Sequence, residues 1–261
     1  MYDLAAMRAA LAGSVFRDKL HFSPLTDSTN SDALDAARSA APHGSVYFAD
    51  EQWAGRGRGG HEWRSAAGEG LYVSVLLRPS VPAARLPLLP LAAGLAAAQA
   101  IRSAAGLTVD LRWPNDLLLG PRKAGGILVE AKTSGGAVDF AVVGIGINVH
   151  QRAFDPGLST PATSLDQESG RRISRQLLLV SLLESLEREM TSLLDPTAGV
   201  KIPARVAEAS TWIRGRRVEV HGPQACIGVT AGLDNNGFLL VRTQVGLVTV
   251  QTGGIRTAEL G

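Results

Sequence analysis

Residues 54–63, Ala-Gly-Arg-Gly-Arg-Gly-Gly-His-Glu-Trp, constrain this chain more than any other stretch. Four of the ten residues are glycine and two are arginine. Glycine admits positive φ and leaves backbone N–H groups open to a ligand. Arginine adds a forked, permanent charge suited to phosphate or carboxylate, and the closing tryptophan offers a flat face for stacking. The run therefore reads as a loop between two β-rich segments. It either folds around an anionic ligand that carries a ring, or it is a solvated basic loop.

The rest of the chain alternates helical and β patterns. Ser28 or Thr29 can cap a helix running through Ala41, with Asp32 and Asp35 placed well for the helix dipole. Residues 45–50 and 71–78 read as strands. Residues 88–105 form an alanine-rich helix stopped by Gly106. Residues 108–113 alternate as a half-buried strand. Residues 126–132 and 138–149 are β-rich and meet at Gly135-Gly136 as a hairpin. Residues 173–194 carry leucines at helical spacing, with Glu184, Glu187, Arg188 and Glu189 toward water. Strands that meet through both hairpins and helices imply an α+β fold, a mixed sheet with helices packed on it. Near Arg214 the pattern changes to short β runs at 217–220, 226–233, 238–242 and 247–251, separated by turns at Gly222-Pro223 and 234–237. This suggests a small C-terminal barrel that leans on the main domain, because so short a segment buries little core alone. The expected division is 1–212 and 213–261.

At 261 residues, one large domain plus a small one is the natural expectation. Hydrophobic residues make up 45% and charged residues 19%, so wholesale disorder is excluded. A net charge of +2 is too small to argue for nucleic acid. Arg214, Arg216 and Arg217 lie beside Trp212 without a recognisable nucleic-acid motif around them. Cys226 is the single cysteine, which rules out an internal disulfide or a cysteine cage and suits a reduced cytoplasmic home. The longest uncharged run, 86–101, has 16 residues against the ~20 a membrane span needs, and it reads as a buried helix.

Four further motifs accompany the loop: Thr-Asp-Ser-Thr-Asn at 26–30, Arg-Trp-Pro-Asn-Asp at 112–116, Lys-Ala-Gly-Gly-Ile-Leu at 123–128, and Gly-Ile-Gly-Ile-Asn at 144–148. In this order and spacing the chain resembles the catalytic core of biotin–protein ligases from about residue 26 to 165, with a weaker match beyond. The resemblance implies a biotin–lipoate ligase core, similar to class II aminoacyl-tRNA synthetases, followed by a C-terminal SH3-like barrel. It implies that ATP activates biotin as biotinyl-5'-AMP, with release of pyrophosphate. Biotin then passes to a lysine of a biotin carboxyl carrier protein. Roughly 25 residues precede the Ser-Thr-Asn motif, too few for a winged helix-turn-helix, so the expected class is the short, monofunctional one. No DNA or membrane partner is expected, and a homodimer fits the relatives.

The carboxylate nucleophile is already ionised at neutral pH. The obstacle is bringing one anion up to another, so fixed positive charge and Mg²⁺ supply the stabilisation. By resemblance, Lys123 bridges the carboxylate and the α-phosphate, and Arg58 bears on phosphate. Ser28, Thr29, Asn30, Gln52, Gly55, Arg56 and Gly57 hold the biotin end. Gly144 and Gly146 alternate on a strand and point to one face, leaving room for a flat bicycle or allowing a close helix–sheet contact. Trp63 stacks on adenine and Asn115 binds its edge, with His61, Gly126, Ile127 and Asn148 around the nucleotide. Asp116 either orders Arg58 or Lys123, ligates Mg²⁺, or helps deprotonate the incoming lysine. Trp113 reads as core. The region 151–163, with Phe154, is expected to fold over the adenylate and to be mobile without it. Gly59 and His61 replace two family arginines, which removes two permanent charges.

Related readings are a lipoate or octanoate ligase or transferase, which shares this kind of core, and a non-catalytic biotin sensor, which would not need Lys123. The Arg214–Arg216–Arg217 cluster can also guide an acidic carrier domain.

Overall fold

The computed structural model describes residues 2–195 and 201–258. The domain bounds expected at 1 and 261 lie outside them. Seven strands build the larger sheet: β1 (Leu20–Thr26), β2 (Ser45–Gln52), β3 (Gly70–Leu77), β4 (Asp110–Arg112), β5 (Asp116–Leu119), β6 (Arg122–Ser134) and β7 (Ala137–Asn148). Their order across the sheet is β1-β2-β3-β7-β6-β5-β4. β1 and β2 run parallel, joined through helix α2 (Thr29–Arg38), and every other neighbouring pair is antiparallel. The mixed sheet expected from the sequence is present.

Helices α1 (Leu4–Ala10), α3 (Leu88–Ala105), α4 (Leu165–Ser169), α5 (Arg175–Leu194) and α6 (Ile202–Glu208) complete the main body. α3 is buried on most of its surface and packs against α5, α6 and the sheet. Each leucine it withdraws from water contributes roughly 1.5–3 kcal/mol. It is the one helix among the described residues long and apolar enough to cross a membrane, but its apolar surface is taken up by the core. Gly106 ends it with φ +73 and an N–H donated to the Arg102 carbonyl at 2.9 Å.

Several elements differ from the sequence reading. β1, β5, α1, α4 and α6 were not legible. α2 stops at Arg38, and Ala40 beyond it turns the chain with φ +60. Ser28 occupies the N-cap position without a capping side-chain bond. Instead the Thr29 N–H donates to Gln52 Oε1 at 2.8 Å, so the end of β2 caps the helix. Glu189 does not face water. It is buried and accepts two hydrogen bonds from Arg205 of α6, at 2.6 and 2.8 Å.

The C-terminal strands β8 (Arg214–His221), β9 (Cys226–Leu233), β10 (Leu239–Thr243), β11 (Gly246–Val250) and β12 (Gly254–Thr257) form an SH3-like antiparallel sheet in the order β11-β10-β9-β8-β12. β12 was not expected. Val218, Val220, Leu239, Val241, Val250 and Ile255 join the same core as α3. The sheet docks through Gly237, at φ +83, where a Cβ would stand 2.7 Å from Leu91 of α3. Trp113 Nε1 donates to the Gly237 carbonyl at 3.0 Å, so this tryptophan is core, as expected.

Candidate active site

Strand register brings the motifs together. One row across the sheet runs Arg112–Asp116–Gly126–Gly146–Tyr72, and the next runs Leu128–Gly144–Ser74. Cross-strand partners share a face, so the glycines of two distant motifs lie side by side. Lys123 joins them through a bulge. Leu117 and Leu118 pair with Gly125 and Lys123, which makes Ala124 an extra residue in β6. Plain alternation would turn Lys123 away from Gly126; the bulge turns it back. Above these rows lies a cleft of about 470 Å³ counted to its open mouth, lined by Ser28, Thr29, Asn30, Gln52, Trp63 and Lys123 among others.

Over the Gly144 row sits a network of hydroxyls and amides that ends on an ion pair. Thr29 donates twice to Gln52 Oε1, and Gln52 Nε2 donates to Ser65 Oγ at 2.7 Å. Thr29 and Ser74 hydroxyls meet at 2.8 Å, and Ser74 donates to Asn30 Oδ1 at 2.5 Å. Asn30 Nδ2 donates to Glu130, which also pairs with Arg56 at 2.8 Å. A Cβ on Gly144 would come within 2.1 Å of Asn30 Oδ1, so here the glycine serves a close contact with the start of α2.

Over the Gly146 row sits the charged centre. Lys123 Nζ meets Asp116 Oδ1 at 2.5 Å, while Arg112 donates to Oδ2 at 2.6 and 3.0 Å. Burial pushes the Asp116 carboxyl up, but Lys123 and Arg112 more than offset it and hold the group below the usual carboxylate range. The Trp63 ring lies over Lys123, 5.6 Å from Nζ, and close against Gly146, whose Cβ would stand 2.6 Å from it. Its Nε1 is buried with no partner.

The glycine–arginine loop is a tight hairpin. Gly57 N–H donates to His61 at 2.7 Å and Trp63 N–H to Gly55 at 2.8 Å, around a 3-10 turn at Arg58–Gly60. Gly59 and Gly60 take φ +70 and +79, which suits glycine at the position where the family pattern has arginine. Arg58 lines the cleft, and its guanidinium also donates to the Gly253 carbonyl and to Thr252 Oγ1 of the C-terminal sheet.

The biotin/lipoate A/B protein ligase family model matches residues 22–148. The chain is 33% identical to the bifunctional ligase/repressor BirA of Bacillus subtilis over 98% of its length and 78% of the relative. It is 34% identical to the biotin–[acetyl-CoA-carboxylase] ligase of Paracoccus denitrificans, over 85% of this chain and 93% of that one. The chain belongs to the biotin–protein ligase family. The structure of the Aquifex aeolicus biotin protein ligase in complex with biotin and ATP superposes with a TM-score of 0.78 at 28% identity, covering 91% of this chain and 97% of that one.

Set against the family's roles, most expected residues line the cleft: Ser28, Thr29, Asn30, Gln52, Arg56, Gly57, Arg58, Trp63, Asn115, Lys123, Gly126, Ile127, Gly144 and Gly146. Four fall elsewhere. Asp116 is outside the lining and is held between Lys123 and Arg112. His61 is exposed outside the lining. Gly55 instead forms the hairpin neck, where a Cβ would stand 2.3 Å from the Trp63 carbonyl oxygen. Asn148 is buried and donates to the Thr163 and Lys123 carbonyls, at 3.0 and 3.4 Å. Asn115 Nδ2 donates to the Ile127 carbonyl at 2.7 Å, pinning its turn to β6.

The region 151–163 closes onto Lys123 at its far end: Lys123 N–H donates to Pro161 and Thr163 N–H to Lys123, at 2.8 and 3.0 Å. Phe154 is half-buried outside the cleft lining. Glu130, Ser65 and Ser74 escaped the sequence reading, and Arg112 entered it only as part of a motif, with no role assigned. Glu130 was recoverable, since it alternates with Gly126 and Leu128 on one face of β6.

A resident Mg²⁺ does not fit these residues. Both Asp116 oxygens are engaged by cations, and no three His, Cys, Asp or Glu side chains cluster for a metal among the described residues.

Proposed function

We infer that this chain joins biotin to ATP and then to protein. A biotin carboxylate oxygen bonds to the α-phosphorus while the bond to pyrophosphate breaks, giving biotinyl-5'-AMP. A lysine amine of a biotin carboxyl carrier protein then attacks the acyl carbon; AMP leaves and the amine gives up a proton. The observation that carries this reading is the position of Lys123. Its ammonium lines the same cleft as Ser28, Thr29, Asn30 and Gln52 and lies against the Trp63 ring. A compact cation in a cleft that offers both neutral polar groups and an aromatic face supports a role in bridging two anionic groups, and fixed charge needs no reorganisation as the reaction proceeds.

Hydroxyls and amides suit a ureido ring, which both donates and accepts. Mg²⁺ enters with ATP as part of the substrate. The reading divides the chain into a catalytic unit, 1–212, and an SH3-like unit, 213–261, working in the cytoplasm.

The test is mass spectrometry of the protein incubated with Mg-ATP and equimolar biotin, lipoate and octanoate. Biotinyl-AMP alone is expected. A lipoyl or octanoyl adenylate moves the chain to the sister activity. Biotin binding without any adenylate makes it a sensor.

A further inference from the structure

Arg112 closes β4 and stands opposite Asp116 in the β4–β5 register, on the face that carries the cleft. Its side chain is 9% exposed, so water screens it little. Three things converge on its guanidinium. Asp116 Oδ2 accepts from Nε at 3.0 Å and from Nη2 at 2.6 Å. Thr160 Oγ1, near the end of the segment that pairs with the Lys123 backbone, accepts from the same Nη2 at 3.0 Å. The Trp212 ring, at the entry to the C-terminal sheet, lies 5.2 Å from the guanidinium carbon and also carries Arg216 at 3.6 Å.

The charge count explains why such a group belongs there. Asp116 and Lys123 alone form a neutral pair, and a neutral pair does nothing for an approaching carboxylate or triphosphate. Arg112 occupies one oxygen of Asp116, so the three groups together carry one net positive charge. Lys123 then shares its counter-ion and keeps charge to offer to a ligand. Arg112 lies outside the residues that line the cleft, whereas Lys123 lies within them.

We propose that Arg112 is a positioning residue for adenylate formation: by holding Asp116, it keeps the Lys123 ammonium oriented yet incompletely neutralised. This rests on the proposed role of Lys123. Arg112 touches no reacting atom in this scheme and acts through Asp116.

The experiment measures single-turnover biotinyl-AMP formation and biotin Kd for the full chain and for Arg112→Gln, Arg112→Lys, Asp116→Asn and the Arg112→Gln/Asp116→Asn double variant. Arg112→Gln keeps hydrogen-bonding capacity and removes the charge; Arg112→Lys keeps the charge in case the first variant folds poorly. The expected result is at least about a tenfold slower adenylation in Arg112→Gln, with biotin Kd within about threefold. Arg112→Lys should retain at least about a third of the rate. In the Asp116→Asn background, Arg112→Gln should cost less than about threefold more, because its intermediary is already gone. An unchanged rate in Arg112→Gln overturns the proposal, as does equal slowing by Lys and Gln, or a full tenfold loss in the Asp116→Asn background. Each of those leaves the ligase reading intact. Absence of biotinyl-AMP from the unaltered chain removes both.

Discussion

Lys123 faces the cleft because Ala124 is an extra residue in its strand, and that orientation makes its charge usable. Lys123→Ala should slow biotinyl-AMP formation by about a hundredfold or more, roughly 3 kcal/mol of transition-state stabilisation. Single-turnover kinetics checks this, and near-normal turnover would place the decisive charge elsewhere. Gly144 supplies a second test. An added Cβ would meet Asn30 Oδ1 at 2.1 Å, so Asn30 must leave its bonds to Ser74 and Glu130. Gly144→Ala should therefore weaken biotin binding by about tenfold or more, read by titration calorimetry, with the thermal transition still cooperative. An unaltered Kd would show that the Asn30 network is not part of the biotin site. Glycines and charged residues in these motifs were readable because their types are chemically narrow. The parts played by Ser65, Ser74 and Arg112 were not, since only the fold brings such common residues next to Gln52, Asn30 and Asp116.

At the scale of elements, the hairpin of the glycine–arginine loop is latched by Arg56 to Glu130. The two side chains are 41% and 29% exposed. A pair so open to water contributes at most about 1 kcal/mol to stability. Arg56→Ala should thus lower Tm by no more than about 4 °C. Without ligand, trypsin cleavage at Arg58 should nonetheless rise several-fold, because the latch governs local opening. Unchanged cleavage would mean that the Arg58 contacts with Thr252 and Gly253 hold the loop alone. Elements differed in how readable they were. α3 has a continuous apolar surface and a glycine stop, so both ends were evident. β1 lies at the sheet edge, contains Pro24 and shows little alternation, which an edge strand tolerates and a pattern search passes over. β5 is four residues long and follows Pro114, so it merged with the turn before it.

For the whole molecule, His43 ties α2's exit to β3's end. Its Nδ1 accepts from the Arg78 N–H at 3.0 Å. Burial, helped by Lys19, holds the imidazole below its ordinary value of 6.5. Its contribution to stability is complete above 6.5 and is lost as pH falls through the lower folded-state value, because the unfolded chain takes up the proton first. Calorimetric Tm should drop as pH falls below about 6.5. His43→Asn, whose amide oxygen can accept in place of Nδ1, should flatten that drop; an identical slope would assign it to other groups. Gly237 has a consequence on the same scale. Leu91 occupies the space of its missing side chain and Trp113 holds its carbonyl, so the C-terminal sheet packs directly on α3. The two sheets therefore share one hydrophobic core. The turn at 234–237 and the helix beneath it cannot vary independently over evolutionary time, and a change in either must find its match in the other.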